Sequence, residues 1–506
     1  MKKSLSLLLA LVMLLGTAAG CSETTTTEEE KSTAADASVA EETVEEIAEE
    51  EPEVTPSTMI RETFADVNYE GREFRILGLQ ESAHYYVNIG PTFVEIWADE
   101  YNGEIMNDAI YDRNLQTEDL LNVTLVPQWA SGTDPINTLI KQAVTAGTDD
   151  FDTALQGLSA LGGALQGGQL ANFMNFETID VTSPWYDQNS VNTFTLLNGT
   201  KLYWLTGDYM TCDDYAVHLI YFNKGLLENA GQELPYESVR EGTWTIDRFY
   251  NTMKACEQDL NGDGQLTIKD DIVCHVENHD KIKHWIYGAC EKSIDADETG
   301  NLITNTLSER QINVVERLYQ YTVEKQMTYS NDDDNVLVTA FKGNHAASYC
   351  IGVAMLNQFR DMADDFGVLP MPKYDEEQET YGHYISNYVV TALVCPLTVK
   401  DRDFIGTVIE TLSAFSTETV NAALFDTMLA SKLVRDQESV EMLGICFATK
   451  CYDWAVDFSW GSSFASAYNN VYNNKAFNYV SEATKALKPQ DKSLSRLMES
   501  IAGFED

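Results

Sequence analysis

One twelve-residue run carries the densest metal-binding chemistry in the chain: Asp259-Leu260-Asn261-Gly262-Asp263-Gly264-Gln265-Leu266-Thr267-Ile268-Lys269-Asp270. Side-chain oxygens fall at its first, third, fifth, ninth and twelfth positions (Asp259, Asn261, Asp263, Thr267 and Asp270). Gln265 offers a backbone carbonyl at the seventh, and Gly264 stands at the sixth, where such a loop turns sharply. Alternating oxygen donors let a short loop wrap one hard cation. The spacing implies a structural Ca2+ held by Asp259, Asn261, Asp263, Gln265, Thr267 and Asp270, with Leu266 anchoring the loop to the core; the alternative is a metal-free polar turn. These ligands leave no open position for a substrate, so no catalytic role is expected of the ion.

The loop resembles EF-hand and especially dockerin-type calcium loops, which often carry Asp at the twelfth position. It departs from them in two ways. There is one loop rather than a pair, and Ile272-Val273-Cys274-His275-Val276 after it reads as a strand rather than an exit helix. A switch that opens paired helices is therefore not expected, nor is a dockerin-bearing scaffold component.

A second run with chemistry stands at the N-terminus. Lys2-Lys3, an apolar stretch from Leu5 to Leu15 and Ala18-Ala19-Gly20-Cys21 form a secretory signal peptide over 1–20. The apolar stretch is about half of the ~20 residues a membrane-spanning helix needs. Small-small-Gly-Cys resembles the lipobox of bacterial lipoproteins, with Ala18 where the pattern prefers Leu. The resemblance implies lipidation of Cys21 and a protein tethered at the extracellular face of the cell membrane, as in Gram-positive bacteria.

The remaining composition narrows the function classes. A net charge of −47 over 506 residues repels phosphate backbones, so nucleic acid is not an expected partner. There is no Gly-x-Ser-x-Gly, no P-loop and no His-Glu-x-x-His, and only seven histidines. An enzyme is not expected, although 80 acidic residues supply the paired carboxylates that a glycan-acting hydrolase would need. Eight cysteines follow Cys21, scattered and without a Cys-x-x-Cys pair. Disulfides and buried free thiols both fit that count.

These residues must be carried by folded elements. From Ser22 to about Thr58 the chain is Thr- and Glu-rich and lacks aromatic residues, so 21–68 reads as the lipidated cysteine followed by a disordered acidic linker. Folding is expected from about Tyr69. Phe74–Leu77, Asn122–Pro127 and Phe151–Leu155 read as strands. Between them lie helices over Glu104–Leu121 and from Asp134, the expected cap, to Gly147, the latter with an Ile136, Leu139, Ile140, Ala143, Val144 stripe. Strand alternating with helix predicts an α/β fold with a parallel sheet. The texture returns later, with Leu219–Phe222 as a buried strand and Thr245 capping a helix.

Four segments, in order, resemble the extracellular solute-binding proteins of ABC importers, family 1, which includes maltose-binding protein. They are Leu219 to Gly231 (Leu-Ile-Tyr-Phe-Asn-Lys-Gly-Leu-Leu-Glu-Asn-Ala-Gly), Thr243-Trp244-Thr245, Ala340 to Ala347, and Phe366 to Pro372. Asn102-Gly103-Glu104, Asn107-Asp108-Ala109 and Pro184-Trp185-Tyr186-Asp187 are similar to a clostridial lipoprotein subgroup. The resemblance covers essentially all of 70–506. It implies a two-lobed periplasmic-binding-protein-like fold (type II) with a ligand cleft and hinge closure. Crossovers are expected near Cys212–Ala216, near His383–Val389 and near Cys451. Lobe 1 is then 69–212 plus 388–450, and lobe 2 is 216–384 plus 455–506, containing the 259–270 loop.

The implied function is capture of a carbohydrate, an oligosaccharide, and its delivery by a monomer to an ABC transporter permease. The alternatives are an exported glycan-acting hydrolase and a receptor that presents ligand to a membrane sensor. A sugar cleft needs aromatic faces for the ring and carboxylates or amides for its hydroxyls. The implied ligand-binding candidates are Trp97, Trp129, Trp185, Tyr186, Asp208, Tyr209, Asp213, Asp214, Tyr349, Asn387, Tyr388, Trp454 and Trp460. Trp460 leads the set, because the family places a stacking Trp in a similar C-terminal segment. Gly352-Val353 stands where maltose-type members carry Trp.

Overall fold

The computed structural model describes residues 54–80, 96–278, 282–305, 307–430, 434–457 and 462–504. The leader, Cys21, the acidic stretch to Glu53 and Trp460 lie outside the described residues.

The strands, in chain order, are β1 (Arg72–Leu79), β2 (Val123–Ala130), β3 (Thr153–Gly157), β4 (His218–Asn223), β5 (Val273–Glu277), β6 (Ile294–Ala296), β7 (Leu302–Thr304), β8 (Thr328–Ser330), β9 (Ala346–Gly352), β10 (Phe366–Leu369), β11 (His383–Tyr384), β12 (Thr391–Val394) and β13 (Lys450–Cys451). They build two main sheets. The first has the order β12-β3-β1-β2 and the second β10-β4-β9-β5-β8. In the first, β1 runs parallel to both β2 and β3, from Arg72↔Val123 to Leu79↔Ala130, and β12 closes the edge antiparallel to β3. In the second, β5 is parallel to β8 and β9, while β4 runs antiparallel to β9 and β10. β4 and β9 are buried along their whole lengths, as strands covered on both faces by helices must be. The fold class is α/β, with the parallel β1–β3 unit that alternating strand and helix predicts.

The elements read from sequence form with small shifts. Helix Ile105–Leu121 follows its expected span, and helix Thr133–Ala146 ends on Gly147 in the left-handed region (φ 69°). Its N-cap is Gly132 rather than Asp134, which sits in the first turn, and Leu139 of the expected stripe is exposed. Thr245 caps helix Ile246–Lys254 by accepting from Arg248 N.

Two boundaries differ from the sequence reading. Helix Pro56–Thr63 lies inside the range expected to be disordered. Thr55 and Thr58 form a capping box, Ile60 and Phe64 are buried one turn apart, and Arg61 donates to Gln116 at 2.7 Å. Averaged with the acidic stretch before it, this short apolar pair is hidden by its neighbours. The second difference is helix Gln437–Ala448, which the sequence reading puts in the first lobe. Ser439 Oγ pairs with Tyr236 OH at 3.1 Å and accepts from Val368 N, and Asp436 binds Lys224 at 2.6 Å. Val368 lies in β10 of the second sheet, and Lys224 and Tyr236 lie in the segment that follows β4 of that sheet, so the chain returns to it before residue 435 rather than near Cys451. The C-terminal segment, given to the second lobe, touches both. Helix Tyr479–Ala502 packs on β7, while Phe504 lies against Gly168 and Tyr203.

Candidate functional site

β1, β2 and β3 run parallel, so their carboxyl ends share one edge of the first sheet, the position at which open α/β sheets bind ligands. Trp129 is the penultimate residue of β2 and 42% exposed. Its ring lies across β1 at Gly78, where an added Cβ would come within 3.3 Å of the indole. Tyr388 stands beside the end of β3, on a turn fixed by Ser159 N donating to Asn387 O (3.1 Å) and Leu158 N donating to Val390 O (2.9 Å). It is 68% exposed. Trp97 donates to Asp99 at 2.8 Å on the connection from β1 to helix Ile105–Leu121 and is half-buried. Tyr101 on the same connection is exposed and packs edge-on to Tyr111, with ring centroids 4.6 Å apart. The sequence reading missed Tyr101, although it adjoins the quoted Asn102-Gly103-Glu104.

The chain passes between the sheets through paired segments. Leu205 bridges Leu393, Val217 bridges Ile385, and β11 pairs parallel with β13. A buried charged cluster sits on these crossovers. Lys450 Nζ lies 2.6 Å from Asp213, 2.7 Å from Asp214 and 3.4 Å from Asp187. Tyr452 donates to Asp187 at 2.8 Å, and Asp187 also caps helix Gln188–Phe194. Burial alone would lower the Lys450 ammonium, but its three carboxylates hold it well above the usual lysine range. Burial raises Asp213 and Asp214, against the pull of Lys450. Three carboxylates around one ammonium leave excess negative charge, which fits that direction.

Beside the cluster, Asp208 accepts from Thr417 Oγ1 (2.6 Å) and Asn421 Nδ2 (3.1 Å), and burial pushes its carboxyl up to about 7. Fully buried Arg113 donates to Tyr209 O at 2.8 Å and braces the same segment from helix Ile105–Leu121. Lys450, Asp187 and Arg113 were not read as site residues. A lone lysine among 33 basic residues gives no sequence signal of its partners.

The expected aromatic set divides sharply. Trp185, Tyr186, Tyr209, Tyr349 and Trp454 are buried and present no free face, contrary to their reading as stacking groups. Tyr186 donates to Glu410 at 2.5 Å, and burial pushes Glu410 up to about 7. Tyr209 donates to Leu205 O and accepts from Leu393 N, so it fastens a crossover. Tyr349 lies within β9, with Asp334 at 3.4 Å. Trp454 donates to Thr193 O and packs in a cluster with Phe194 and Trp204. Asp213 and Asp214 are occupied by Lys450 rather than turned to solvent, and Asn387 is buried while the next residue, Tyr388, is exposed. Trp129 and Tyr388 remain as open faces.

The 259–270 loop keeps the turn pattern its spacing implies. Asp259 accepts from Gly262 N (2.7 Å) and Gly264 N (2.8 Å), Asn261 from Asp263 N, and Asp263 from Gln265 N. Asp270 does not join them. It is half exposed, 3.6 Å from Lys269, while Asp271 folds back to accept from Leu260 N and Thr267 N, both at 2.9 Å. Leu266 is exposed and does not anchor the loop to the core. Among the described residues no group of three or more His, Cys, Asp or Glu side chains is gathered to hold a metal ion.

No family model matches the chain, and no curated protein matches its sequence. Solved structures match its fold along most of its length. A cyclo/maltodextrin-binding protein complexed with maltotetraose aligns over 83% of this chain and 97% of its own, at 13% identity and a TM-score of 0.54. UspC of M. tuberculosis aligns over 82% and 98%, at 12% identity and a TM-score of 0.54. A family 1 extracellular solute-binding protein from Bifidobacterium longum subsp. infantis aligns over 84% and 100%, at 13% identity and a TM-score of 0.53. The chain has the two-lobed solute-binding fold. In that fold the two sheets are the lobes, and the Lys450 cluster lies on the segments that join them. Among the described residues no helix is long and apolar enough to cross a membrane.

Proposed function

We propose that the chain is an exported solute-binding lipoprotein that captures a carbohydrate and hands it to an ABC transporter permease. One observation carries the reading. The only two expected aromatic residues that are exposed among the described residues, Trp129 and Tyr388, both stand at the carboxyl edge of the first sheet. Flat apolar faces beside a polar crossover suit the alternating faces and hydroxyls of a sugar ring. The maltotetraose complex of a protein with this fold points to the same ligand class. In this reading Cys21 bears the lipid that keeps the receptor at the outer face of the membrane, and closure of the lobes leaves the ligand chemically unchanged.

A thermal-shift screen of mono- and oligosaccharides against the purified chain tests the ligand class, since a ligand bound only to the native state raises its melting temperature. The expected result is a shift with at least one oligosaccharide and no turnover of it. Shifts with peptides or polyamines alone would overturn the carbohydrate assignment.

We propose further that the 259–270 loop holds a structural calcium. Its hard oxygen donors fit that ion, with Asp259, Asn261, Asp263, the Gln265 carbonyl and Thr267 as the ligand set and Asp270 turning in. Removal of calcium by EDTA is expected to lower the melting temperature, and elemental analysis to find about one calcium per chain. An unchanged melting temperature together with no bound calcium would end this part of the proposal.

A further inference from the structure

Eight cysteines are in no disulfide among the described residues, and six of them are buried. The two others, exposed Cys290 and half-buried Cys451, are distant in sequence but meet over Gly382. Both sulfurs lie over Gly382: a Cβ built there would stand 2.9 Å from Cys290 Sγ and 3.1 Å from Cys451 Sγ. It would also stand 2.1 Å from Tyr287 O, so only glycine leaves room for the pair at this point. Cys290 occupies the left-handed region (φ 58°) just after helix Ile282–Gly288, which turns its side chain out of the helix toward β13. From this geometry we propose that Cys290 and Cys451 are a reversible disulfide site, oxidised by low-molecular-weight disulfides.

The chemistry distinguishes the two thiols. Cys290 is brought down to about 7, first by the neighbouring Cys451 thiol and then by Thr380 and Arg310, with burial opposing. Burial instead raises Cys256, Cys274, Cys395 and Cys446. The thiolate is the nucleophile in exchange, so Cys290 is the sulfur that reacts first. Its thiolate attacks one sulfur of the disulfide RSSR, the S–S bond breaks, and RS⁻ leaves and takes up a proton. Cys451 then loses its proton to solvent and attacks the mixed disulfide at Cys290 Sγ, expelling the second RS⁻, which is protonated in turn. Two protein thiols are oxidised and RSSR is reduced to two RSH. The product ties β13, which carries Lys450, to the end of a helix that precedes the 290 turn in the second lobe. It therefore fixes one of the crossovers.

The test is to incubate the purified full chain with oxidised glutathione, block residual thiols with N-ethylmaleimide and map peptides without reduction. The expected result is a Cys290–Cys451 linked peptide. It is accompanied by a rise in melting temperature of about 2–5 °C that dithiothreitol reverses. Cys290→Ser, an exposed position, is expected to abolish both the link and the rise. Cys451→Ser is expected to trap glutathione on Cys290. Alkylation of both cysteines after oxidation would overturn the proposal, as would a stable glutathione adduct on wild-type Cys290.

Discussion

The carboxyl edge of the first sheet and the charged crossover beside it treat their polar and aromatic groups in opposite ways. At the edge, Trp129 and Tyr388 keep ring surface in water, and backbone bonds fix the Tyr388 turn. At the crossover, Lys450 and three carboxylates are enclosed, and each is answered by another group of the protein. A group that recognises a ligand must be left unanswered by its own chain. A group that braces a hinge must be answered completely, because an unpaired buried charge is costly. Asn387 and Tyr388 show the division within two residues, one buried and one open. The acids that looked like sugar forks are thus taken up by Lys450 at the joint, and the two exposed rings lie beside it.

The strongest way to break that comparison is Lys450→Met. It leaves Asp187, Asp213 and Asp214 buried without their counter-ion and is expected to destabilise the chain by about 3–5 kcal/mol. Urea unfolding monitored by Trp fluorescence reads it. A loss below about 1 kcal/mol would mean that the cluster does not brace the joint.

A smaller effect is expected from pH. Asp208 is raised to about 7 from an ordinary value of 3.8, so the folded chain keeps a proton that the unfolded chain releases as pH rises from about 4 to 7. Its contribution is therefore full at low pH and is lost as pH rises through 7. Glu410, also at about 7, acts in the same direction. Buried His383, lowered to about 3, acts oppositely, because its contribution is lost as pH falls below the usual histidine range. The wild-type profile sums these, so the informative quantity is its difference from Asp208→Asn. That variant is expected to gain on wild type by on the order of 2–3 kcal/mol between pH 5 and pH 8. A difference independent of pH would show that Asp208 titrates as an ordinary carboxylate.

The same contrast explains what the sequence could reveal. Strands such as Leu219–Phe222 and the capped helix after Thr245 were legible because their patterns are local. The crossover partners were not. Lys450 meets Asp213 across 237 residues, and Asp208 meets Thr417 across 209. Residue type suggested that Asp213 and Asp214 stood near the joint but could not say that a lysine had already taken them. Aromatic residues misled for a related reason. Trp454 and Trp129 are the same residue with the same stacking face, yet one fills a cluster with Phe194 and Trp204 and the other lies open across Gly78. Helix Ile105–Leu121 shows the limit in another way, since its buried side includes Arg113, Asn114 and Thr117, which hydrophobic periodicity passes over.

The gentlest substitution sharpens the comparison most. Trp129→Ala removes a ring that is already 42% exposed, so its stability cost is expected to stay near 1 kcal/mol, well below that of Lys450→Met. Tyr388→Ala, at 68% exposure, is expected to cost less still, about 0.5 kcal/mol. If these rings are the stacking faces, each loss should nevertheless weaken binding of the oligosaccharide found by thermal shift by about tenfold, read by titration calorimetry. Melting temperature and affinity then separate the regions, since the crossover variant loses stability and the edge variants lose ligand. Unchanged affinity in both edge variants would move the recognition surface elsewhere on the two lobes. Large stability losses in both would mean that these rings, like Trp454, belong to the packing.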